Sequence, residues 1–317
     1  METMFQLHQP HLDIKFISYF SPKPVIFFYQ NSLSMTRCGM TMSASSFPAP
    51  SLSIGYFSLQ FVDDQICKSF TLDNIRNSLI QQEDSIIFSL LERAQYSHDS
   101  CAYDNDAFFL DGFKGSLVQY MVLQNEKLHS QVGRYNSAEE HAFFPEYLPQ
   151  PMLPHLQYPQ VLHHCADSIN INTQIWNIYF KDLLPKLVTA RNNDECGSIA
   201  VCDTLCLQAL SKRIHYGKFV AEAKFQDAPS EYESAIKAKD RKLLLELLTC
   251  ETVEALVKKR VELKAKSFGQ VVKIDEADNV ANSTYKIKPS FIANLYENWV
   301  MPLTKEVQVE YLLRRLE

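Results

Sequence analysis

From Leu72 to Tyr96 apolar residues return at helical intervals. Ile75, Leu79, Ile86 and Leu90 share a face, and neither proline nor glycine interrupts them. Spacings of three, four and seven residues put side chains on one stripe of a 3.6-residue helix, so one long amphipathic helix is predicted here. Arg76 and Glu83, seven apart, lie on another common face. A second helix is expected over Ser116–Val132, stopped at Gly133. Ile169–Val188 has the same character, with Pro185 expected to end or kink it, because proline lacks an N–H and its ring collides with the carbonyl four residues back. Further helices are expected over Cys202–Phe225, after Pro229 with Ser230 and Glu233 at capping-box spacing, and over Glu251–Phe268. Pro289-Ser290 opens another, and Pro302 suits the first turn of the last. In between, Pro145, Pro149, Pro151, Pro154 and Pro159 predict an extended loop hugging the surface. Arg191–Gly197 reads as a polar turn. The text contains no hairpin, βαβ series or internal repeat. The predicted fold class is all-α: a single helical-bundle domain with long connecting loops.

The first residues follow different rules. After Asp13 no acidic residue occurs before Asp63, and the segment is rich in hydroxyl-bearing and aromatic residues with Lys15, Lys23 and Arg37 as cations. That composition is typical of an organelle transit peptide. The apolar run Ile14–Tyr29 is broken by Pro22 and Pro24 and carries two lysines, which suits neither a secretory signal nor a membrane span. Residues 1–68 are therefore expected to be a transit peptide and disordered linker, with the folded domain over 69–317.

Composition narrows the function classes. At 46% hydrophobic and 21% charged, the 317-residue chain is ordinary globular material with enough apolar content for a sizeable core. A net charge of −6 makes it a poor nucleic-acid binder, so an anion site has to be a local cluster of cations. Glycine is scarce, and neither GxGxxG nor GxxxxGK[ST] occurs, leaving nucleotide binding without support. The eight cysteines are scattered with no CxxC pair, so mostly reduced thiols are the default. Cys202 and Cys206, one helical turn apart, read as small apolar packing residues. His163-His164-Cys165 lacks a second cluster, and no metal or cofactor is expected.

The segment Arg213–Lys224 points to chemistry. Eleven residues make about three helical turns, which puts Arg213 and Lys224 on nearly one face with Val220 between them. Gly217 beside that stripe leaves room for another object. Leu207, Leu210 and Ile214 form a separate apolar stripe for packing. Two cations along a partly apolar face suit a small dianion. A solvated basic helix face would carry the same text.

Three ordered motifs go further. They are Asp73-Asn74-Ile75-Arg76 with Gln82-Glu83-Asp84-Ser85-Ile86-Ile87-Phe88; Ala209-Leu210-Ser211-Lys212-Arg213 through Ala223-Lys224-Phe225; and Pro302-Leu303-Thr304-Lys305-Glu306-Val307 with Glu310-Tyr311-Leu312-Leu313-Arg314-Arg315-Leu316. From about Leu72 to the C-terminus the chain resembles the all-helical chorismate mutases of plants and fungi. The resemblance implies a cofactor-free Claisen rearrangement of chorismate to prephenate. That substrate carries two carboxylates, an ether oxygen and a ring hydroxyl. Its enolpyruvyl arm must fold over the ring, and charge must be stabilised as the C–O bond breaks. The resemblance assigns the carboxylates to Arg76 and Arg213, work that suits a planar, permanently charged guanidinium. It points Lys224 at the ether oxygen, Glu254 at the ring hydroxyl and Thr304 at a carboxylate. Read without it, Arg76 pairs along its own helix, Glu254 pairs with Lys258 one turn on, and Thr304 caps a helix.

Two positions depart from the fungal pattern. Gln308 stands where a glutamate faces the ether oxygen, and Cys250 stands where an asparagine contacts substrate; a thiol is the weaker hydrogen-bonding group. Family members are homodimers, and many respond to tyrosine, phenylalanine and tryptophan. The effector positions implied here are Arg134, Gly197 and Ser198, with Asp194 and Cys196 in the same loop. Gly133 replaces a second fungal arginine and Val201 a threonine. Together with the extension, this implies an enzyme of aromatic amino-acid synthesis in the chloroplast stroma, with chorismate as its small-molecule partner and no nucleic-acid or membrane partner. The competing readings are a catalytically silent helical interaction protein that keeps the fold, and an unrelated helical enzyme using His215 as general base. An amide donates to an ether oxygen at any pH, whereas a carboxyl donates only when protonated. The kcat for chorismate is therefore predicted to be nearly flat from mildly acidic to mildly alkaline pH, and Gln308→Glu to impose an acidic optimum. A Gln308→Glu profile matching the parent's would remove Gln308 from the ether site.

Overall fold

The computed structural model describes residues 70–109, 112–154, 160–189, 195–271 and 284–317. The expected transit peptide and linker of residues 1–68, and Ser69 where the domain was expected to begin, lie outside the described residues. The regular structure among the described residues is helical; one isolated antiparallel bridge joins Gln270 and Tyr285.

Helix α1 spans Leu72–Arg93, with the Thr71 hydroxyl capping its start by accepting from the Asn74 N–H at 3.2 Å. It ends before Tyr96 because the Arg93 guanidinium turns back and donates to the Tyr96 carbonyl at 2.7 Å. Helix α2, Leu117–Gln131, opens with a complete capping box between Ser116 and Gln119. Gly133, at φ +80°, takes the left-handed conformation that ends it. Helix α3 (Asn172–Ile178) runs through a π-helical turn at Tyr179–Leu183 into α4 (Leu184–Leu187). Pro185 therefore does not stop the helix where it stands: the wide turn just before it relieves the clash that a regular helix would impose.

The expected helix Cys202–Phe225 is two helices. Helix α5 begins earlier, at Cys196, and runs to His215; α6 covers Gly217–Asp227 after a break at Tyr216. Cys196 and Gly197, expected in a turn, are already helical. Helix α7 is Pro229–Lys237, but its start at Ala228 has no side-chain cap hydrogen bond, so the Ser230–Glu233 box does not form. Helix α8, Arg241–Leu248, has no counterpart in the sequence reading; Asp240 caps it by accepting from the Leu243 N–H at 3.0 Å. Helix α9 covers Glu251–Gly269. Helix α10 (Pro289–Leu295) passes through a second π-turn, Tyr296–Val300, into α11 (Met301–Arg314). Pro302 stands in the first turn of α11, as expected, directly after the wide turn. Among its described residues the proline-rich stretch holds one short 3₁₀ turn, Pro145–Tyr147, and Pro159 lies outside the described residues.

The core is built on α1 against α5. Ile86, Ile87 and Leu90 meet the buried face of Ile199, Leu207 and Leu210. One end of this seam is polar. The fully buried Arg93 pairs with Asp203 at 2.6 Å, and both oxygens of Asp203 also accept, from Tyr179 at 2.7 Å and from Tyr103 at 2.8 Å. Three donors thus satisfy both oxygens of this carboxylate, the added hydrogen bonding that a buried ion pair requires. The loop after α2 is pinned by Glu126, which accepts from the Phe143 and Phe144 N–H groups at 2.7 and 3.0 Å.

Just past the break, Lys218 is fully buried and makes no ion pair to a described residue. It donates to the Ala166 carbonyl at 2.9 Å and meets His141 Nε2 at 2.7 Å, and His141 stacks on His215. Burial pushes Lys218 down to about 7; Asp167, Cys165 and Glu139 oppose that shift from the packed segments. The unfolded chain then binds more protons than the folded one between about 7 and the ordinary lysine value of 10.5. Stability is therefore predicted to rise with pH across that window, and Lys218→Met to flatten the rise. Urea unfolding at the two ends of the window measures it; an unchanged slope in the variant would contradict the assignment.

Candidate active site

The break at Tyr216 lets α5 and α6 approach α11 closely. A Cβ at Gly217 would stand 2.8 Å from the Thr304 carbonyl oxygen and 3.0 Å from its methyl. The object for which Gly217 leaves room is thus the α11 backbone. That contact sets Arg213, on the last turn of α5, against Thr304 and Gln308, both inward on α11. Arg213 Nη1 donates to Thr304 Oγ1 at 3.3 Å, and the Thr304 hydroxyl donates to the Val300 carbonyl at 2.6 Å. Thr304 lies inside the helix, so it serves as no cap.

Arg213 is only 5% exposed, and no carboxylate among the described residues pairs with it. Burial holds its pKa below the usual guanidinium value, against the favourable pull of Tyr296 and Glu83. Glu83 is close enough to be felt, but Arg260 already forks it at 2.6 and 2.9 Å and Lys264 adds a contact at 3.2 Å. Arg213 Nε and Gln308 Oε1 are both buried without a hydrogen-bond partner. Buried polar atoms are nearly always satisfied. Two unsatisfied ones beside an unneutralised guanidinium mark a place built for a ligand.

A second group completes the arrangement. Lys224, on α6, donates to the Leu248 carbonyl at 2.8 Å. Burial lowers its pKa, and Cys250, Arg76, Glu254 and Lys305 all act on it electrostatically. Those four come from the start of α1, the start of α9 and the middle of α11. Arg76 is half exposed and pairs with Asp73 at 2.9 Å. Glu254 pairs with Lys305 at 2.9 Å, and Lys258, its expected neighbour, pairs with Glu297 instead. Arg76, Lys224 and Glu254 are thus brought to one neighbourhood, and Arg213, Thr304 and Gln308 to another joined to it through α11. Lys305 was missed in the sequence reading, although it lies inside the Pro302–Val307 motif, because its partner is 51 residues away.

His215 takes no part. It is fully buried, its Nε2 accepts from the Ile171 N–H at 3.0 Å, and its Nδ1 lies 2.8 Å from the Ser211 carbonyl. Burial pushes its pKa down to about 3, so it stays neutral and structural.

Chorismate mutase 3, chloroplastic, of Arabidopsis thaliana is 62% identical over 246 residues, which covers 78% of this chain and 78% of that protein. This chain belongs to the chorismate mutase family. The family profile described as chorismate mutase type II matches residues 196–309, which runs from the start of α5 into α11. A crystal structure of AtCM1 with tyrosine bound in its allosteric site superposes with a TM-score of 0.72 at 61% identity, covering 78% of this chain and 98% of that one; AtCM1 has also been solved with phenylalanine in that site. The Aro7p chorismate mutase of Candida albicans in complex with L-Trp superposes at 0.74 with 39% identity, covering 78% of this chain and 92% of that one. The chain is an all-helical chorismate mutase, an isomerase that converts chorismate to prephenate, and not a silent relic.

The implied effector residues lie apart within the chain. Arg134 is held by Glu140 at 2.9 Å, by His129 at 2.6 Å and by Gln208 at 3.0 Å. Gly197 and Ser198 are exposed on the first turn of α5, about 16 Å along the axis from Gln208 at 1.5 Å per residue. One chain does not bring Arg134 and Gly197–Ser198 together. Asp194 lies outside the described residues.

Replacing an unneutralised buried cation by an apolar side chain of similar length removes a desolvation penalty. Arg213→Met is predicted to stabilise the ligand-free chain by about 1–2 kcal/mol, seen as a Tm raised by a few degrees. A lowered Tm would show that Arg213 is a structural cation.

Proposed function

We propose that Arg76 and Arg213 each take one carboxylate of chorismate and that the ring lies between α6, α9 and α11. Lys224 leaves the Leu248 carbonyl to donate to the ether oxygen, where negative charge grows as the C–O bond breaks. Gln308 donates its amide N–H to the same oxygen, and its buried unpaired Oε1 turns with the side chain as substrate enters. Glu254, steadied by Lys305, accepts from the ring hydroxyl. Thr304 turns its hydroxyl from the Val300 carbonyl to donate to the carboxylate on Arg213. No cofactor or covalent step is required. The chain's own contribution is orientation of a folded dianion and donors fixed where charge develops. The observation that carries this reading is the buried Arg213 guanidinium without a carboxylate and with a free Nε–H (a geometry that a folded chain keeps only for something else to fill).

The enzyme acts in phenylalanine and tyrosine synthesis in the plastid stroma. The acid-poor residues 1–68 and the chloroplastic naming of the Arabidopsis relative support that placement, with 69–317 as the mutase domain. Aromatic amino acids regulate it through Arg134, Gly197 and Ser198, with Asp194 in the same loop. Since Arg134 and the Gly197–Ser198 turn lie far apart in one chain, the site is shared between two subunits of a homodimer. Exposed Leu128 and Val132 on α2, and Val201 and Leu205 on α5, supply apolar surface for that second copy.

Chorismate consumption by residues 69–317 tests this. Arg213→Ala is expected to lower kcat/KM about 10³-fold, and Lys224→Ala to lower kcat by about 10²–10³, the loss typical of one charge-stabilising donor. Parent-like kinetics in Arg213→Ala would overturn the site. Activity unaltered by tyrosine, phenylalanine and tryptophan together would overturn the regulatory assignment alone.

A further inference from the structure

Cys101 and Cys196 form a disulfide, the one such bond among the described residues. Mostly reduced thiols were expected from the sequence, and this pairing was not foreseen, because the chain has no CxxC pair. Cys165, Cys202, Cys206 and Cys250 are free, the first three buried. The bond joins residues 95 apart in sequence. Cys101 sits in a single 3₁₀ turn, Ser100–Ala102, whose start is capped by Asp99 accepting from the Cys101 N–H at 3.1 Å. Cys196 is the first residue of α5 and stands immediately before Gly197 and Ser198.

Three features make this bond a place for exchange and give it leverage. First, its two ends differ in access: Cys196 is buried and Cys101 is partly exposed. An attacking thiolate reaches the Cys101 sulfur, and Cys196 is the leaving group. Second, the leaving thiolate forms at the amino end of a 20-residue helix, where unpaired N–H groups stabilise negative charge. The buried Asp99 carboxylate, within 4.8 Å of both sulfurs, opposes that stabilisation and keeps the thiols ready to re-pair. Third, among the described residues no side chain caps the start of α5: Glu195 makes no side-chain cap hydrogen bond, and a Cβ at Gly197 would meet nothing within 4 Å. The covalent tie to the 3₁₀ turn, with the packing of Ile199 behind it, fastens the exposed Gly197–Ser198 turn.

We propose that the Cys101–Cys196 disulfide is a thiol-exchange site through which a dithiol reductant loosens the effector-binding turn at Gly197–Ser198. The proposal rests on the effector assignment made above. In the first step a thiolate of the dithiol bonds to Cys101 Sγ and the Cys101–Cys196 bond breaks, leaving Cys196 as the thiolate, which takes up a proton. In the second the reductant's other thiol, after losing its proton, attacks its own sulfur in the mixed disulfide, and Cys101 leaves as a thiolate and is protonated. Two electrons pass from the dithiol to the protein, the reductant ends as a disulfide, and the protein gains two thiols. The catalytic side chains are not touched, so the change falls on regulation.

The test uses the full chain in its native assembly, prepared oxidised and after treatment with dithiothreitol, with differential alkylation and peptide mass mapping of Cys101 and Cys196. Effector titrations with tryptophan and with tyrosine follow on each form. Reduction is expected to raise the half-maximal effector concentration about fivefold or more. Cys101→Ser, which cannot form the bond and leaves the effector turn itself unaltered, is expected to behave as the reduced form with or without dithiothreitol. A bond that the mapping finds absent from the oxidised form, or unreduced after treatment, overturns the proposal. So do equal effector responses from forms whose thiols differ as expected. An enzyme that responds to no amino acid in either form removes the effector assignment itself, a different result from equal responses.

Discussion

Arg213 is buried in a seam where no carboxylate neutralises it, and much of the architecture around it keeps matters so. Glu83, the acid that acts on Arg213 electrostatically, is taken by Arg260 and Lys264. Glu254 is taken by Lys305. The Leu248 carbonyl, rather than an acid, receives Lys224. Each cation that the site needs is held by a neutral group or a weak, exposed partner, and each acid nearby is already occupied. A folded chain carries this arrangement at a cost in stability, since charge removed from water without a counterion is unfavourable. A doubly charged anionic substrate reverses that cost on binding, and fixed donors need no reorganisation as the C–O bond lengthens.

The geometry depends on one backbone approach. Dividing α5 from α6 at Tyr216 turns the second helix toward α11, and Gly217 permits contact with the Thr304 carbonyl. The π-turn at Tyr296–Val300 carries Pro302 through without ending the helix, so Thr304 and Gln308 stay one turn apart on an inward face. Behind this, the Arg93–Asp203 pair and its two tyrosines tie α1 to α5. The helix that presents Arg76 and the helix that presents Arg213 therefore move as one body.

How much of this could be read beforehand follows from which interactions are local. The long helices were legible because 3.6-residue periodicity and the Ser116 and Gly133 signals are local. The break at Tyr216 was not: Gly217 was noticed, but the partner that demands it lies 87 residues on, at Thr304. Pro185 read as an end or kink under a local rule, yet burial of Tyr179 and Leu183 outweighs that rule and a wider turn absorbs the ring. Helix α8 escaped notice because Arg241–Leu248 is short and its apolar run shows little alternation. Helical spacing singled out Arg213 and Lys224, but Arg76, Glu254, Thr304 and Gln308 were reachable only through ordered motifs, since no spacing rule joins α1 to α11. Lys305 and the Cys101–Cys196 bond depend on distant partners that neither rule supplies.

A crystal structure with a bicyclic ether diacid that mimics the folded transition state tests the central claim most directly. The account predicts one carboxylate on the Arg213 guanidinium, with Nε no longer unpaired, the other on Arg76, and the Lys224 ammonium moved from the Leu248 carbonyl to the ether oxygen. A diacid seated away from Arg213, or a Lys224 still bonded to Leu248 in the complex, would contradict it.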